Sequence, residues 1–276
     1  MINDRLCEGI SLCTAVFGSE EGKGMKEKLY EIPLNDAMDA EDECPFCFLE
    51  RKVEQELLDF VLGSCASYME SDTRESTDRE GFCRIHQKKM FDYGNALGNG
   101  WILKTYYKKM LKEMKEEFKD FAPQKTSIRA RLIKKSGGTN AISDWVSSKE
   151  KTCYICDRFS KRYDRFLETF FYLYRNDSGF RTKVSNSKGF CLHHFGDLCS
   201  GADRYLSDGE RKEFYPLLFS LMEKNMERVS EDVDWFIEKF DYMNKEADWK
   251  QSKDAVQRGM QKLRGGYPAD PVYKMK

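Results

Sequence analysis

The sequence CPFC at residues 44–47 and GFCRIH at residues 81–86 returns as CYIC at residues 153–156 and GFCLHH at residues 189–194. The distance from the last cysteine of the CxxC to the cysteine of the GFCxxH is 36 positions in the first copy and 35 in the second. The chain has only three histidines, and all of them lie in these motifs. Two CxxH pairs at matching distances are not expected by chance, so the sequence predicts an internal repeat.

The repeat also distinguishes between the two adjacent histidines of the second copy. A shift of 108 positions that places Cys83 on Cys191 carries His86 onto His194. On a helix, the residue three positions after a cysteine lies on the same face, whereas the residue two positions after it points roughly 200° away. We therefore expect His194 to act with the cysteines, and His193 is a candidate extra ligand.

The donors of each copy match a closed tetrahedral metal site, because Cys₃His is a standard ligand set of structural zinc. A CxxC in a tight knuckle would direct two thiolates at one ion. A CxxH at the start of a helix would bring its cysteine and histidine to one face. We therefore predict two zinc ions, one in each copy. The expected ligands are Cys44, Cys47, Cys83 and His86 in the first copy and Cys153, Cys156, Cys191 and His194 in the second.

Other interpretations of these cysteines stay open. Disulfide bonds would leave the histidines unexplained, and a reducing cytosol opposes them. A thioredoxin-like redox pair would need a βαβ context, which the neighbouring sequence does not indicate. An iron–sulfur cluster is a further alternative, less favoured than zinc. Outside the pattern, Cys65 and Cys199 are expected to be small buried hydrophobic residues.

The segments after the two CxxC motifs have helical periodicity. Apolar residues recur in steps of three and four from Leu49 to Val61, ahead of Gly63, and again from Phe159 to Tyr174. This spacing predicts two amphipathic helices. Beyond each CxxH, the pattern indicates a short helix followed by a long one with heptad-like spacing.

The rest of the chain contains no sustained period-two alternation, which argues against β-strands. Polar residues 70–80 and 176–188 are expected to be loops, and residues 252–263 a helix closed by Gly265 and Gly266. The sequence therefore predicts an all-α fold. In it, two tandem pseudo-repeats of helices are each pinned by a Cys₃His metal site, and long amphipathic helices pack as a bundle.

The predicted organisation has five parts. They are residues 1–24, a disordered or non-native extension; 25–124, the first repeat; 125–151, a linker; 152–247, the second repeat; and 248–276, a C-terminal helix and tail. The linker contains a basic cluster that could contact phosphate, although such runs are more often solvated. Its candidate residues are Lys125, Arg129, Arg131, Lys134 and Lys135.

Composition narrows the class of protein. Lys+Arg total 46 and Asp+Glu total 47, so the net charge of −1 gives no global attraction to nucleic acid or to a membrane surface. No stretch approaches the roughly 18 apolar residues of a membrane span, and no export signal is recognisable. Motifs of hydrolases, P-loop proteins, dinucleotide-binding proteins and HExxH metalloproteases are absent from the sequence. We expect a cytoplasmic protein, and these absences favour a protein that is not an enzyme without deciding the question.

The motifs also resemble those of an uncharacterised bacterial family, domain-of-unknown-function family 6062. The similar stretches are YEIP at 30–33, CPFC at 44–47, SYME at 67–70, GFCRIH at 81–86, GFC at 189–191, SKDAVQR at 252–258 and KLRG at 262–265. The resemblance extends over about residues 25–266. It implies a cytosolic, anaerobe-type protein with a duplicated Cys/His motif, and it implies no activity.

These observations favour one function and leave two alternatives. The favoured hypothesis is a non-catalytic zinc-binding helical protein with two structural Cys₃His sites, acting as an intracellular interaction or regulatory scaffold with a protein partner. The first alternative is a thiol-based redox or metal sensor. The second is a nucleic-acid-binding regulator that uses the basic linker.

Overall fold

The computed structural model describes residues 23–65, 67–119, 121–122, 140–270 and 273, with only the backbone of residues 23–28. These residues form eleven α-helices and two short 3₁₀ helices (Ser67–Met69 and Tyr242–Asn244), with no β-strand among them. The α-helices are α1 (Lys23–Asp39), α2 (Pro45–Leu62), α3 (Ser71–Glu80), α4 (Arg84–Tyr93), α5 (Ala96–Lys119), α6 (Ala141–Glu150), α7 (Tyr154–Asn176), α8 (Ser178–Asn186), α9 (Leu192–Tyr205), α10 (Asp208–Glu238) and α11 (Ala255–Arg264). The predicted all-α fold is confirmed. Every described helix is too short or too polar to cross a lipid bilayer.

The helices predicted from apolar periodicity are present. After the first CxxC, α2 ends at Leu62, immediately before Gly63, and after the second, α7 continues to Asn176. Each CxxH opens a short helix that a long helix follows, α4 before α5 and α9 before α10. Near the C-terminus, α11 ends at Arg264 because Gly265 has a φ of 78°, which favours glycine.

The first segment predicted to be a polar loop, residues 70–80, is helical instead, since α3 occupies most of it. Its buried residues are Thr73 and Thr77, one helical turn apart. Threonine does not count as apolar in a search for hydrophobic spacing. The loop prediction is wrong because this helix buries a stripe of hydroxyl-bearing side chains.

The second predicted loop, residues 176–188, is also wrong, since α8 lies within it. Phe180 and Val184 are its buried residues, again one turn apart. Asp177 caps the helix by accepting hydrogen bonds from two backbone N–H groups of the first turn. Because only two apolar residues of this helix are buried and their neighbours in the sequence are mostly polar, the apolar spacing is too short to indicate a helix.

The described residues belong to two compact units. Unit 1 contains those up to Glu54 and those from Ser160 to Asp270, and unit 2 contains those from Gln55 to Phe159 together with Tyr273. Each unit therefore combines a segment from before the predicted linker with one from after it. The predicted repeat boundaries describe the sequence and stay predictions, as does the extension at residues 1–24, of which 1–22 lie outside the described residues.

The core of unit 1 is a cluster of aromatic rings that includes the phenylalanines of two motifs. Phe46 of CPFC lies 5.7 Å from Phe170 and 6.0 Å from Phe190 of GFCLHH, measured between ring centroids. All three side chains are fully buried. Burying one such side chain contributes about 1.5–3 kcal/mol, so these residues anchor the cysteines beside them to the core.

In unit 2 an aromatic contact joins the other two motifs. The ring of Phe82 in GFCRIH lies 6.0 Å from that of Tyr154 in CYIC. The backbone N–H of Tyr154 donates to the carbonyl of Gly81 at 2.9 Å. Leu58 of α2 and Ile102 of α5 are buried in the same unit. The second CxxC is thus held against the first GFC.

The glycines of α9 provide a test of packing in unit 1. A Cβ at Gly201 would lie 2.4 Å from Cε2 of Phe171, whereas a Cβ at Gly196 would meet nothing within 4 Å. We expect Gly201→Ala to lower the free energy of unfolding by about 1–3 kcal/mol through overpacking. Gly196→Ala, the control in the same helix, should leave it unchanged or raise it by up to about 1 kcal/mol. Chemical denaturation measures both, and equal effects would contradict the packing described.

Candidate metal centres

All four Cys/His motifs adopt one local structure, the N-terminus of an α-helix. The carbonyls of Cys44, Cys83, Cys153 and Cys191 accept the first helical hydrogen bonds from the N–H groups of Phe48, Gln87, Asp157 and Phe195, at 3.2, 2.9, 3.0 and 2.8 Å. The first cysteine of each motif is therefore the N-cap, and the second donor is the third helical residue. This confirms the helical start predicted for CxxH. The tight knuckle predicted for CxxC is wrong, because each CxxC also opens a helix.

The structure brings the eight predicted donors together in two groups of four, with the donor atoms of each group within 4.8 Å of one another. Group 1 consists of Cys44, Cys47, Cys191 and His194, and group 2 of Cys83, His86, Cys153 and Cys156. Each group could hold a metal ion.

The predicted pairing within each copy is wrong, because the CxxC of one copy meets the CxxH of the other. Group 1 belongs entirely to unit 1 and group 2 to unit 2. Either pairing gives a Cys₃His set, so the chemistry of the motifs does not distinguish them. The pairing is decided by which helices pack together in a unit.

Group 1 has the dimensions of a tetrahedral site. Nδ1 of His194 lies 3.2, 3.5 and 3.1 Å from the Sγ atoms of Cys44, Cys47 and Cys191, and the last two sulfurs are 3.8 Å apart. Ordinary zinc bond lengths give tetrahedral edges of about 3.8 Å between two sulfurs and about 3.5 Å between sulfur and nitrogen. A disulfide would need about 2.05 Å between sulfurs. The donors therefore surround a point instead of bonding to each other.

Group 2 has the same dimensions. Nδ1 of His86 lies 3.2, 3.3 and 3.3 Å from the Sγ atoms of Cys83, Cys153 and Cys156, and the sulfurs of Cys83 and Cys156 are 3.8 Å apart. The two groups differ in exposure. All four side chains of group 1 are 0% exposed, whereas in group 2 Cys156 is exposed and Cys83 is half-buried.

The surroundings of His194 are those of a metal-binding histidine. Its Nδ1 faces the sulfurs, and its Nε2 lies 3.3 Å from Oε1 of Glu50, without a well-aligned hydrogen bond to any described group. The rings of Phe46 and Tyr163 lie 5.6 and 5.7 Å from the imidazole. A carboxylate beside the second ring nitrogen favours the tautomer that leaves the first nitrogen free to bind a metal.

In group 1, ionisation of one thiol is favoured at the expense of another. Hydrogen bonding to Cys191 and Cys44, together with burial, raises the pKa of Cys47. Hydrogen bonds from Cys44 and Cys47 lower the pKa of Cys191. Burial alone would lower the pKa of His194, but hydrogen bonding to Cys191 and Cys44 raises it to about 12. A divalent cation removes this conflict because it stabilises all three thiolates at once.

Group 2 shows the same conflict in weaker form. Burial would raise the pKa of Cys153, but the hydrogen bond with His86 lowers it to about 6. Burial and then the charge of Cys153 raise the pKa of Cys156 to about 12. Ionisation of Cys153 thus makes ionisation of Cys156 harder. A bound cation would stabilise both thiolates and remove this conflict.

The C-terminal end of α11 covers group 1. A Cβ at Gly265 would lie 3.4 Å from Sγ of Cys191 and 3.7 Å from Sγ of Cys47, so the backbone at the end of α11 lies directly over two sulfurs. Lys262, only 1% exposed, donates from Nζ to the carbonyl of Glu43 at 2.6 Å and pairs with its carboxylate at 3.2 Å. The end of α11 is therefore bonded to the residue that precedes the CPFC motif.

Sequence reasoning missed Glu50, Lys262 and Gly265 as parts of the site. Glu50 follows Cys47 by one helical turn, a spacing that could have indicated a common face. The closing role of Gly265 was recognisable only as a helix end, because its contact with the sulfurs depends on tertiary packing.

The remaining predicted residues lie elsewhere. His193 is outside both Cys₃His groups, with its side chain 64% exposed and Nε2 3.7 Å from Oδ2 of Asp197. With Glu50 and His194 it forms a third set of donor atoms within 4.8 Å, so its role as an extra ligand stays a prediction. Cys65 is exposed and Cys199 half-buried, so the prediction that both are buried is wrong. The basic candidates Lys125, Arg129, Arg131, Lys134 and Lys135 lie outside the described residues.

The match to known proteins covers most of the chain. The model of a family of unknown function, DUF6062, matches residues 25–270, which include both groups and α11. The chain belongs to the DUF6062 family. The resemblance inferred from the motifs is thereby confirmed. No curated protein and no solved structure matches the chain.

The two glycines after α11 allow the cover of group 1 to be tested. Gly265 and Gly266 both have positive φ, 78° and 64°, but a Cβ at Gly266 would meet nothing within 4 Å. Valine at either position strains the backbone, whereas only Gly265→Val adds methyl groups against the sulfurs. We expect Gly265→Val to speed alkylation of Cys47 and Cys191 in the folded protein. Gly266→Val should not, and equal alkylation rates in the two variants would show that α11 does not cover the group.

Proposed function

We propose that this member of the DUF6062 family is a non-catalytic zinc-binding protein, in which each Cys₃His group holds one structural zinc ion and the helical body acts as an interaction or regulatory scaffold. The observation that carries the proposal is group 1, where three sulfurs and one imidazole nitrogen, all fully buried, lie within 4.8 Å of one another. Thiolate and imidazole are the donors that zinc prefers in such sites.

A single ion suits these donors better than an iron–sulfur cluster. A cluster places several iron and sulfide atoms between its ligands, which spreads the donor atoms apart. Here the donor atoms of each group lie within 4.8 Å of one another, leaving room for one ion. Zinc is favoured over a lone iron ion because its closed tetrahedral sites are commonly Cys₃His.

A structural role is supported by the completeness of the ligand set. Four protein donors fill a tetrahedral zinc site, whereas catalytic zinc sites keep one position for water. Three thiolates and one Zn²⁺ have a net charge of −1. Two helix N-termini, each equivalent to about +0.5 charge, offset it. The site then needs no further ligand and no further charge.

The zinc ions would join segments that are far apart in the chain. In group 1, Cys47 and Cys191 are separated by 144 positions, and in group 2, Cys83 and Cys156 by 73. Structural zinc has apparent binding free energies of about 10–16 kcal/mol in zinc-finger peptides. Binding of this size would be a large part of what holds each unit folded.

The exposed apolar side chains of α5 support a protein partner. Leu103, Tyr107 and Leu111, spaced by one helical turn, are 45%, 62% and 53% exposed. Such a row is more typical of an interaction surface than of a solvated helix face. Zinc–thiolate sites need reduced cysteines, so a reducing compartment such as the cytoplasm is the location this proposal requires.

The metal content of the purified, reduced protein tests the proposal. We expect two zinc ions per chain and no visible absorbance. His194→Ala should remove about one zinc ion and lower the thermal midpoint well beyond an ordinary surface substitution, because it leaves buried thiolates without a full ligand set. The adjacent control, His193→Ala, should keep both ions. A metal content near zero, or the absorbance of iron, would contradict the proposal.

The exchanged pairing makes a separate prediction. Metal-bound thiolates are protected from alkylation, so Cys153→Ser should expose the other two cysteines of group 2, Cys83 and Cys156. Cys191 and the remaining thiols of group 1 should stay protected. Mass spectrometry of the alkylated protein measures this. If Cys191 became reactive while Cys83 stayed protected, the donors would be paired within each sequence copy.

A further inference from the structure

The two Cys₃His groups have the same donors and dimensions but differ in their access to solvent. Group 1 is fully buried and lies under the backbone of Gly265. In group 2, His86 and Cys153 are buried at 7% and 6% exposure, whereas Cys83 is half-buried and Cys156 exposed. The two accessible thiols are also neighbours, with their sulfurs 3.8 Å apart.

We propose that group 2 is a peroxide-sensitive site, in which Cys83 and Cys156 form a disulfide and release their zinc ion while group 1 keeps its own. The inference rests on the proposed function, because it needs zinc in both groups. It adds a modification site and assigns it to one pair of residues. Oxidation of cysteine requires both thiolate character and access by the oxidant. The two groups differ in access.

The reaction balances with hydrogen peroxide as the oxidant. One thiolate attacks the peroxide, the O–O bond breaks, and a sulfenic acid and hydroxide form. The second thiolate attacks the sulfenic sulfur and displaces a second hydroxide, which leaves the S–S bond. Two electrons pass from the two thiolates to the peroxide, and two protons convert the hydroxides to water. Zn²⁺ is not itself oxidised or reduced. It dissociates because only Cys153 and His86 remain as ligands.

The positions of the two thiols favour their pairing. Their sulfurs must approach from 3.8 Å to about 2.05 Å. Cys83 is the N-cap of α4, and Cys156 lies in the first turn of α7. Cys153 is buried, which disfavours its attack on peroxide. The pair on different helices, rather than the CxxC pair, is therefore the expected disulfide.

The disulfide would retain part of what the zinc ion does. The chain between Cys83 and Cys156, 73 positions apart, is closed by the metal in the reduced form and by the S–S bond in the oxidised form. Closing a loop of this length is the main way a disulfide stabilises a fold. In the oxidised form, the disulfide would thus keep α4 connected to α7, whereas Cys153 and His86 would no longer be bound to a metal ion.

Full-length, reduced, zinc-loaded protein treated with hydrogen peroxide tests this inference. A colorimetric chelator follows zinc release, and mass spectrometry maps the disulfides. We expect one zinc ion per chain to be released about tenfold or more faster than the other. The Cys83–Cys156 disulfide should appear with it. A thiol reductant and zinc should restore the starting state. The variant with Cys65→Ser and Cys199→Ser, which changes two cysteines outside both groups, should behave the same way.

Different results identify which idea fails. Release of both zinc ions at one rate, prior release from group 1, or a Cys153–Cys156 disulfide would each overturn the inference while leaving the zinc sites intact. Zinc retention by both groups under peroxide would do the same. A starting protein without zinc would overturn the proposed function and the inference with it.

Discussion

Each Cys/His group lies where the N-termini of two helices meet, and much of the described structure depends on this placement. The N-terminal end of a helix carries unsatisfied N–H groups and partial positive charge, so two such ends come together favourably only around negative charge. In the proposed zinc-bound form, thiolates at the N-cap and in the first turn would supply it from within the helices themselves. The aromatic residues beside the cysteines tie these positions to the interior of each unit: Phe46 and Phe190 are fully buried in unit 1, and the half-buried Phe82 packs against Tyr154 in unit 2.

The sequence predicted the helical class, most of the long helices and the eight residues that form the two Cys₃His groups, because these follow from local spacing. Apolar steps of three and four identify α2 and α7, and a CxxH identifies two donors one turn apart. The pairing of the motifs could not be predicted, since every motif offers the same chemistry and only tertiary packing distinguishes the partners. α3 was missed because Thr73 and Thr77 carry its buried face. Gly265 was missed because its place in the site depends on tertiary packing, which brings its backbone, with no side chain, close to two sulfurs.

A buried carboxylate next to group 1 is paired with two cationic side chains. Glu43, directly before the first cysteine, is 4% exposed and pairs with Lys262 at 3.2 Å and Arg228 at 2.6 Å. Those cations hold the pKa of the carboxyl below its usual value despite burial, which acts in the opposite direction. Buried ion pairs of this kind add little net stability but penalise any packing that separates them. They therefore help to specify where α11 docks.

The exchange of partners between the two copies has a consequence for the newly made chain. A ribosome delivers the CPFC motif first, yet its donors cannot complete group 1 until His194 has emerged, about 150 positions later. Group 2, whose donors end at Cys156, is complete earlier although it begins later. In the order of synthesis, all four residues of group 2 therefore lie between the two halves of group 1. Group 1 is covered only after Gly265 has been synthesised, so zinc binding as proposed would require Cys44 and Cys47 to stay reduced at least until that point.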